Sequence, residues 1–285
     1  MRTREEIITG VKKKLWLFGF IFMIAGFWSS AAFSLDVMGP PAAELEHGQF
    51  KAGIEYSSTK MDLELNNGIW VEYLDGIYDF SGEALDIKIK DLKLNRTYMN
   101  LGYGVSDDFE AFLRIGGFNA RFGDSIWEDS EKFSSGAELA VGGGFKFTLF
   151  REGNLKLGGL FQANTSSFDG QLSASHWSAS DFVDVDMSEV QIALGASCEC
   201  NEHLSIYGGP FLHFVSGDLH DEYSQVDSGT GGLLTSEYVW DIEEESVFGG
   251  YFGAQIALDD NCSFNLEYQH TADAGAFGMS LLWKF

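Results

Sequence analysis

Two short motifs have side chains that could do chemistry. Asp184-x-Asp186 sets two carboxylates two residues apart, and Asp218-x-His220 sets a carboxylate two residues from an imidazole. On a strand, residues two apart share a face, so each motif would present both groups to one side. A carboxylate that holds an imidazole, facing a carboxylate pair that positions a water, is a hydrolytic constellation. Against it stands the abundance of acids: 43 in 285 residues. His176, His220 and the serines around them are too generic to define a second centre. The acidic runs "DSIWEDSE" (124–131), "DFVDVD" (181–186), "GDLHDEY" (217–223) and "DIEEE" (241–245) have oxygens suited to a divalent cation. Their spacing matches no calcium loop, so a solvated, repulsive surface is expected. No residue set calls for a cofactor, and no metal site is assigned.

Composition narrows the class. The chain has a formal charge of −25, 34 Gly, 3 Pro, 3 Cys and 15% aromatic residues. The acidic balance excludes nucleic acid as a partner, which needs a basic footprint. Three Cys are too few for a disulfide framework. Residues 1–34 read as a secretory signal peptide: Lys12, Lys13 and Lys14, an apolar run from Leu15 to Trp28, then "SSAAFS" with Ala32 at −3 and Ser34 at −1. Its removal leaves 13 basic and 41 acidic groups, a formal charge of −28. An uncleaved anchor is the alternative, but the run is short for a span of about 20 residues. No later window is apolar enough for a transmembrane helix. An exported chain without one is either a soluble secreted protein or a closed membrane barrel.

The elements that must position these motifs are strands. Period 2 recurs along most of the chain. "FKAGIEY" sets Phe50, Ala52, Ile54 and Tyr56 against Lys51, Gly53 and Glu55. "EVQIALGASCEC" sets Val190, Ile192, Leu194, Ala196, Cys198 and Cys200 against Glu189, Gln191, Gly195 and Glu199. The last stretch alternates to the final residue, with Phe277, Met279, Leu281, Trp283 and Phe285 on one face. Ten strands are expected. Tight polar turns at 106–108, 151–154, 201–203 and 259–261 alternate with connectors that are mostly long, at 59–93, 123–135, 169–184 and 217–244. That is an up-and-down barrel with one plain rim and one elaborated rim. The first long connector extends its hairpin above the membrane, and residues 35–47, with Pro40 and Pro41, form a short periplasmic lead-in.

Alternation does not say which face is outside. The polar positions are rich in Gly and Ala, as a narrow lumen requires. The apolar positions are large, about four or five per strand, more than ten strands could enclose but not more than lipid can face. A closed ring also pairs every backbone group in hydrocarbon. The chain therefore resembles a bacterial outer-membrane β-barrel protein over residues 48–285. In that family the closing strand carries an assembly signal, which Gly278, Leu281, Trp283 and terminal Phe285 match. The resemblance implies a Gram-negative-type outer membrane, contact with its lipid and lipopolysaccharide, and recognition by the barrel-assembly machinery.

This orientation puts Lys51, Arg96, Arg114, Lys146, Lys156 and Lys284 in the lumen with Glu55, Glu110, Glu138, Glu189, Glu199 and Glu267. A lone buried charge costs several kcal/mol, so opposite charges should pair. The expectation is a lumen plugged by salt bridges and a structural or surface-interaction role for the acidic outer loops, without catalysis. The alternative is a small passive pore. A third reading is a rim protease similar to the omptins, on Asp184, Asp186, Asp218 and His220, although these would lie on adjacent strands six and seven. Trp70, Trp127, Trp177 and Trp240 are expected at the headgroups. His213 is expected to be a hydrogen-bonded lumen residue. Cys198, Cys200 and Cys262 are expected to be lipid-facing.

Overall fold

The structure, a computed structural model, describes residues 35–123, 132–173, 180–227, 229 and 231–285. Residues 1–34, expected to be a signal peptide, the run 124–131 with Trp127, and His176 and Trp177 lie outside the described residues. Among the described residues thirteen antiparallel strands follow one another: β1 (Phe50–Leu74), β2 (Ile77–Glu83), β3 (Ile87–Ser106), β4 (Phe109–Gly123), β5 (Lys132–Ser134), β6 (Glu138–Glu152), β7 (Leu155–Ser173), β8 (Ser180–Asn201), β9 (Leu204–Val226), β10 (Leu233–Glu244), β11 (Phe248–Ala257), β12 (Cys262–Thr271) and β13 (Ala274–Lys284).

Ten of them close a ring. From β1 the hydrogen-bonded order is β3, β4, β6, β7, β8, β9, β11, β12, β13 and back to β1. Lys51–Met61 of β1 pair with Ala274–Lys284 of β13, so no edge is left open. The even count brings both ends of the barrel to one rim, where Phe50 and Phe285 exchange backbone hydrogen bonds of 3.0 and 2.9 Å. In hydrocarbon, closure is the only way a sheet pairs all its donors and acceptors. The outer surface of this ring is apolar: Leu113, Met99 and Ile54 are exposed, as are Phe252, Phe277 and Trp283. An exposed belt of this kind needs lipid around it.

Above that belt the wall changes. Strands β11, β12 and β13 stop, and β10 takes their place, pairing with β9 on one side and with the upper half of β1 on the other. On the far side β5 continues the wall above β6, between β4 and β7. The upper ring therefore has eight strands: β1, β3, β4, β5, β7, β8, β9 and β10. Its seams are tied by side chains. The Val215 amide, on β9 near the switch from β11 to β10, donates to Glu244 Oε2 at 2.6 Å. Lys88 bridges Glu64 (2.9 Å) and Glu245 (2.8 Å). The hydrogen bonds its ammonium donates to those two carboxylates, Glu245 first, hold its pKa above the ordinary lysine range.

The polarity of the two faces inverts at the same height. In β1 the inward row runs Lys51, Glu55, Ser57 and Thr59 and then becomes Met61, Leu63 and Leu65, all buried. Outward, Ile54 gives way to Lys60, Asp62 and Glu64. In β9 the inward row changes at Val215, above His213, and the outward row changes from Phe214 to Ser216 and Asp218. The upper ring encloses one apolar core built from all eight of its strands, including Leu94, Phe118, Phe133, Phe168, Val185 and Trp240. Trp240 is thus not a headgroup anchor. It shares the inward face with Ile242, and its Nε1 donates to Leu85 O at 3.1 Å. Trp70 is half-buried higher up, stacked on Tyr238 (centroids 6.3 Å apart) with the Phe80 ring tilted beside it (5.3 Å).

Replacing Trp240 by Ala empties the centre of the upper core and strands the Leu85 carbonyl, at a cost of about 3–5 kcal/mol. Limited proteolysis of the detergent-solubilised variant is expected to clip the upper strands and leave a protected ten-stranded remainder. Equal protection of both halves would contradict two separately filled compartments.

Candidate functional site

The site the fold builds is the interior of the lower ring. Residues 35–45, expected below the barrel, lie inside it. Leu35, Asp36, Val37, Met38, Ala42, Ala43 and Leu45 are all buried. The cause is room. Eight strands make an interior that side chains fill, and ten make a slightly wider one. The wall is thinned to admit the extra segment: a Cβ on Gly158 would come 2.5 Å from Ala42 Cα, and one on Gly278 would come 2.5 Å from Val37 Cγ2. Gly278, expected to belong to an assembly signal, therefore has a packing role in the structure.

Directional bonds set the register of the segment. At the periplasmic level Lys51 pairs with Glu110, and Glu44 Oε2 lies 3.7 Å from Lys51. Gln255 Nε2 donates to Glu44 Oε1 at 2.6 Å, Lys284 Nζ donates to Glu44 O at 3.2 Å, and the Glu44 amide donates to Glu110 Oε2 at 3.1 Å. In the middle, Arg114 Nε meets Glu55 Oε2 at 2.7 Å, and Asn100 donates to Glu55 Oε1 at 2.9 Å. Glu267 accepts from the Met38 and Gly39 amides at 2.9 and 2.8 Å.

The upper level is a glutamine tier capped by charge. Gln191 donates to Gln269 at 3.0 Å, while Gln269 and Gln162 both donate to Asp36 O, at 2.7 and 3.2 Å. Arg96 forms a two-point pair with Glu189 and lies 3.5 Å from Asp36 Oδ2. Ser57 Oγ donates to Asp36 Oδ1 at 3.0 Å, and His213 Nε2 is 3.4 Å from Glu189 Oε2. Among Lys51, Glu55, Arg114 and Lys146 lies a cavity of about 10 Å³, roughly one water.

Of the twelve charges expected in the lumen, eight are buried there: Lys51, Glu55, Arg96, Glu110, Arg114, Lys146, Glu189 and Glu267. Lys284 and Glu138 are half-buried at opposite ends of their strands. Lys156 and Glu199 do pair, at 2.9 Å, but at the partly exposed periplasmic edge, where the turns at 153–154 and 202–203 end their strands. Asp36 and Glu44 are the members that sequence reasoning missed. The Pro40-Pro41 pair next to a Gly hid them, because it reads as linker. His213 occupies the lumen face as expected.

The other candidate groups fall elsewhere. Asp184 pairs in register with His220, and Asp186 with Asp218, across β8 and β9. All four point away from the axis, because Val183, Val185, Met187 and Leu219 take the inward positions. They stand side by side on the outside of the wall, not facing one another across a mouth. Asp186 and Asp218 line a shallow outer groove with Asp241 and Glu243. Among the described residues no group of three or more His, Cys, Asp or Glu has metal-holding geometry. Cys198 is half-buried and Cys200 exposed, whereas Cys262 is buried, and all three are free thiols. Phe277, Met279, Trp283 and Phe285 of the closing strand face outward.

A closed ring with an apolar outside and a polar inside is the architecture of outer-membrane barrels. No family model matches the chain, and no curated protein matches it. Among solved structures, the chain is similar to the outer membrane protein OprG from Pseudomonas aeruginosa, at 11% identity over 84% of this chain and 97% of that one, with a TM-score of 0.41. It is similar at 12% identity to the outer membrane protease OmpT from Escherichia coli, over 83% and 97% of the two chains, TM-score 0.41. It is similar at 12% identity to the Ralstonia pickettii toluene transporter TbuX, over 90% and 94%, TM-score 0.39.

Arg96 lies between two buried carboxylates, Glu189 and Asp36. Arg96→Ala leaves Glu189 and Asp36 buried without their partner, which should lower stability by about 3–5 kcal/mol. Urea titration of protein refolded into lipid vesicles, followed by tryptophan fluorescence, measures this. A change within about 0.5 kcal/mol, typical of a surface substitution, would show that the network is not structural.

Proposed function

We propose that the chain is a non-conducting integral protein of a Gram-negative-type outer membrane, which holds a rigid acidic post above the bilayer for surface contact. One observation carries this reading: two different fillings lie on the same axis. Residues 35–45 occupy the lower ring, and the apolar core occupies the upper one. Water and ions crossing the protein would have to displace both. The lipid and lipopolysaccharide of the outer leaflet would meet the outward row as it changes from Phe214 to Asp218. Above them the post carries the acidic faces of β8, β9 and β10. An apolar tip on β2 and the segment after it completes it, where Ile77 and Leu85 are 73% and 84% exposed. An acidic surface repels anionic partners and attracts basic ones. The closing strand, with Gly278, Leu281, Trp283 and Phe285, is the part offered to the assembly machinery.

Planar-bilayer recording of the refolded chain tests the reading. No discrete steps are expected, either for the wild-type chain or for Arg96→Ala. Reproducible unitary steps from the wild-type protein would replace this function with a passive channel. Peptide cleavage that disappears in His220→Ala would replace it with a hydrolase.

A further inference from the structure

The tip of the post is at once one-signed and apolar. Residues 61–87 contain seven Asp or Glu, residues 216–247 contain nine, and neither run contains a Lys or an Arg. These runs supply the upper half of β1, all of β2, the upper part of β9 and β10. The lysines that follow on β3 begin at the level of Glu64, and Lys88 is already engaged by Glu64 and Glu245. Among these acids Ile77, Tyr78 and Phe80 of β2 are each more than half exposed, as is Ile69 on β1 beside them.

Strand β2 is also a sheet edge. It pairs with Ile69–Leu74 of β1, and among the described residues no strand pairs with its other side. An edge leaves a row of backbone donors and acceptors open, and proteins guard it with charges and bulges. Here Asp79 sits in a bulge between the Tyr73–Tyr78 and Glu72–Phe80 pairs, and Glu83 follows. Both charges have one sign. The guard therefore acts against a second copy of the same edge, which would bring carboxylate to carboxylate, and not against a basic strand.

The edge is held firmly. Rings run in a row from the buried core to β2. Trp240 stacks on Tyr238 (5.4 Å between centroids), Tyr238 on Trp70 (6.3 Å), and Phe80 tilts against Trp70 (5.3 Å). Asp75 and Gly76 make the hairpin turn, with φ of 52° and 75°. At the other end of β2 the Ala84 amide donates to Gly68 O at 2.7 Å. A partner thus meets an edge already ordered, which lowers the cost of binding.

We propose that β2 is a docking edge for an extended polypeptide segment in which basic and apolar residues alternate, and which adds to the sheet as a further strand. The inference rests on the surface-contact reading above and names its partner class. Backbone hydrogen bonds to β2 supply the pairing. Side chains of an added strand alternate in face. Phe80 and Glu83 lie on opposite faces of β2, so the apolar row packs along Phe80 and the basic row reaches Glu83. The surrounding acids draw a cationic segment to the tip and repel anionic lipid or glycan.

The test uses the refolded chain in zwitterionic detergent and a fluorescein-labelled dodecapeptide of alternating lysine and valine, followed by fluorescence anisotropy. Saturable binding is expected, weakened at least tenfold between 50 and 500 mM NaCl by screening. Asp79→Lys/Glu83→Lys should weaken it at least tenfold and Phe80→Ala at least threefold, while Asp260→Lys at the periplasmic rim leaves it unchanged. These side chains are exposed, so every variant should keep the compact, fast-migrating form on unheated gels. Absence of saturable binding, or equal binding by the charge-reversed variant, would overturn the proposal. Methylating the peptide nitrogens at alternate residues, in either phase, blocks one edge of the peptide or the other. One of the two methylated peptides should lose binding; if both keep it, no strand is added. A protein that ignores the peptide but dimerises, with the dimer broken by Phe80→Lys, would make a second copy the occupant and overturn the basic partner. These outcomes are separable from those of the bilayer recording. A silent protein that ignores the peptide loses only this partner, and a conducting protein that binds it loses only the non-conducting reading.

Discussion

A β-barrel has to fill whatever its strand number encloses. Eight strands close around an interior that their own side chains occupy, and two more strands leave room over. This chain meets both conditions on one axis. In the eight-stranded upper ring, Leu63, Leu94, Phe118, Phe168 and Trp240 suffice. In the ten-stranded lower ring, inward side chains reach only part of the way, and residues 35–45 supply the rest. The glycines at 158 and 278 follow from the same constraint, since any side chain there would occupy space the segment needs. Filling, more than strand pairing, determines where the N-terminal residues lie.

The second constraint is the solvent outside. Hydrocarbon accepts only apolar side chains, and water favours polar ones, so the outward row must change character where the wall leaves the bilayer. The inward row changes in the opposite sense at the same height. In hydrocarbon a polar inside keeps the chain from presenting two apolar faces. In water an apolar inside supplies the burial that holds the upper ring together. The inversion coincides with the loss of β11, β12 and β13 and the entry of β10. Below it the bilayer supports a wide ring, and above it only a ring narrow enough to pack against itself is stable.

Much of this was legible beforehand. The period-2 rows, the tight turns and the closing strand from Phe277 to Phe285 define the barrel, because lipid on one face enforces strict alternation. Eight of the lumen charges were legible for the same reason. The inversion was present too, in "KMDLELN", where the apolar positions shift from even to odd after Tyr56, and in "VDVDM", where they shift between Met187 and Val190. It was obscured because acidic residues suggest loops, although here they coat the outside of strands. Trp240 was misplaced by the same habit: flanked by Val239 and Asp241, it looks interfacial unless its parity with Ile242 is followed. The fate of Leu35–Leu45 was not legible. No periodicity marks it, and its contacts come from residues such as Gln162 and Glu267, more than a hundred positions away.

The choice of charges over apolar groups for the lower filling remains to be explained energetically. Buried ion pairs are weak sources of net stability, because desolvating the partners offsets their attraction. Their advantage is direction. An apolar segment in an apolar tube could slide by a residue at little cost. Met38 and Gly39 cannot shift without releasing Glu267, nor Asp36 without releasing Gln162, Gln269, Ser57 and Arg96. Each release would leave a buried polar group unsatisfied, at about 1–3 kcal/mol, more where it is charged. The network therefore acts as a register lock on a segment that has no strand partner to align it. It also confines the polar interior to the part of the barrel where lipid prevents the wall from opening.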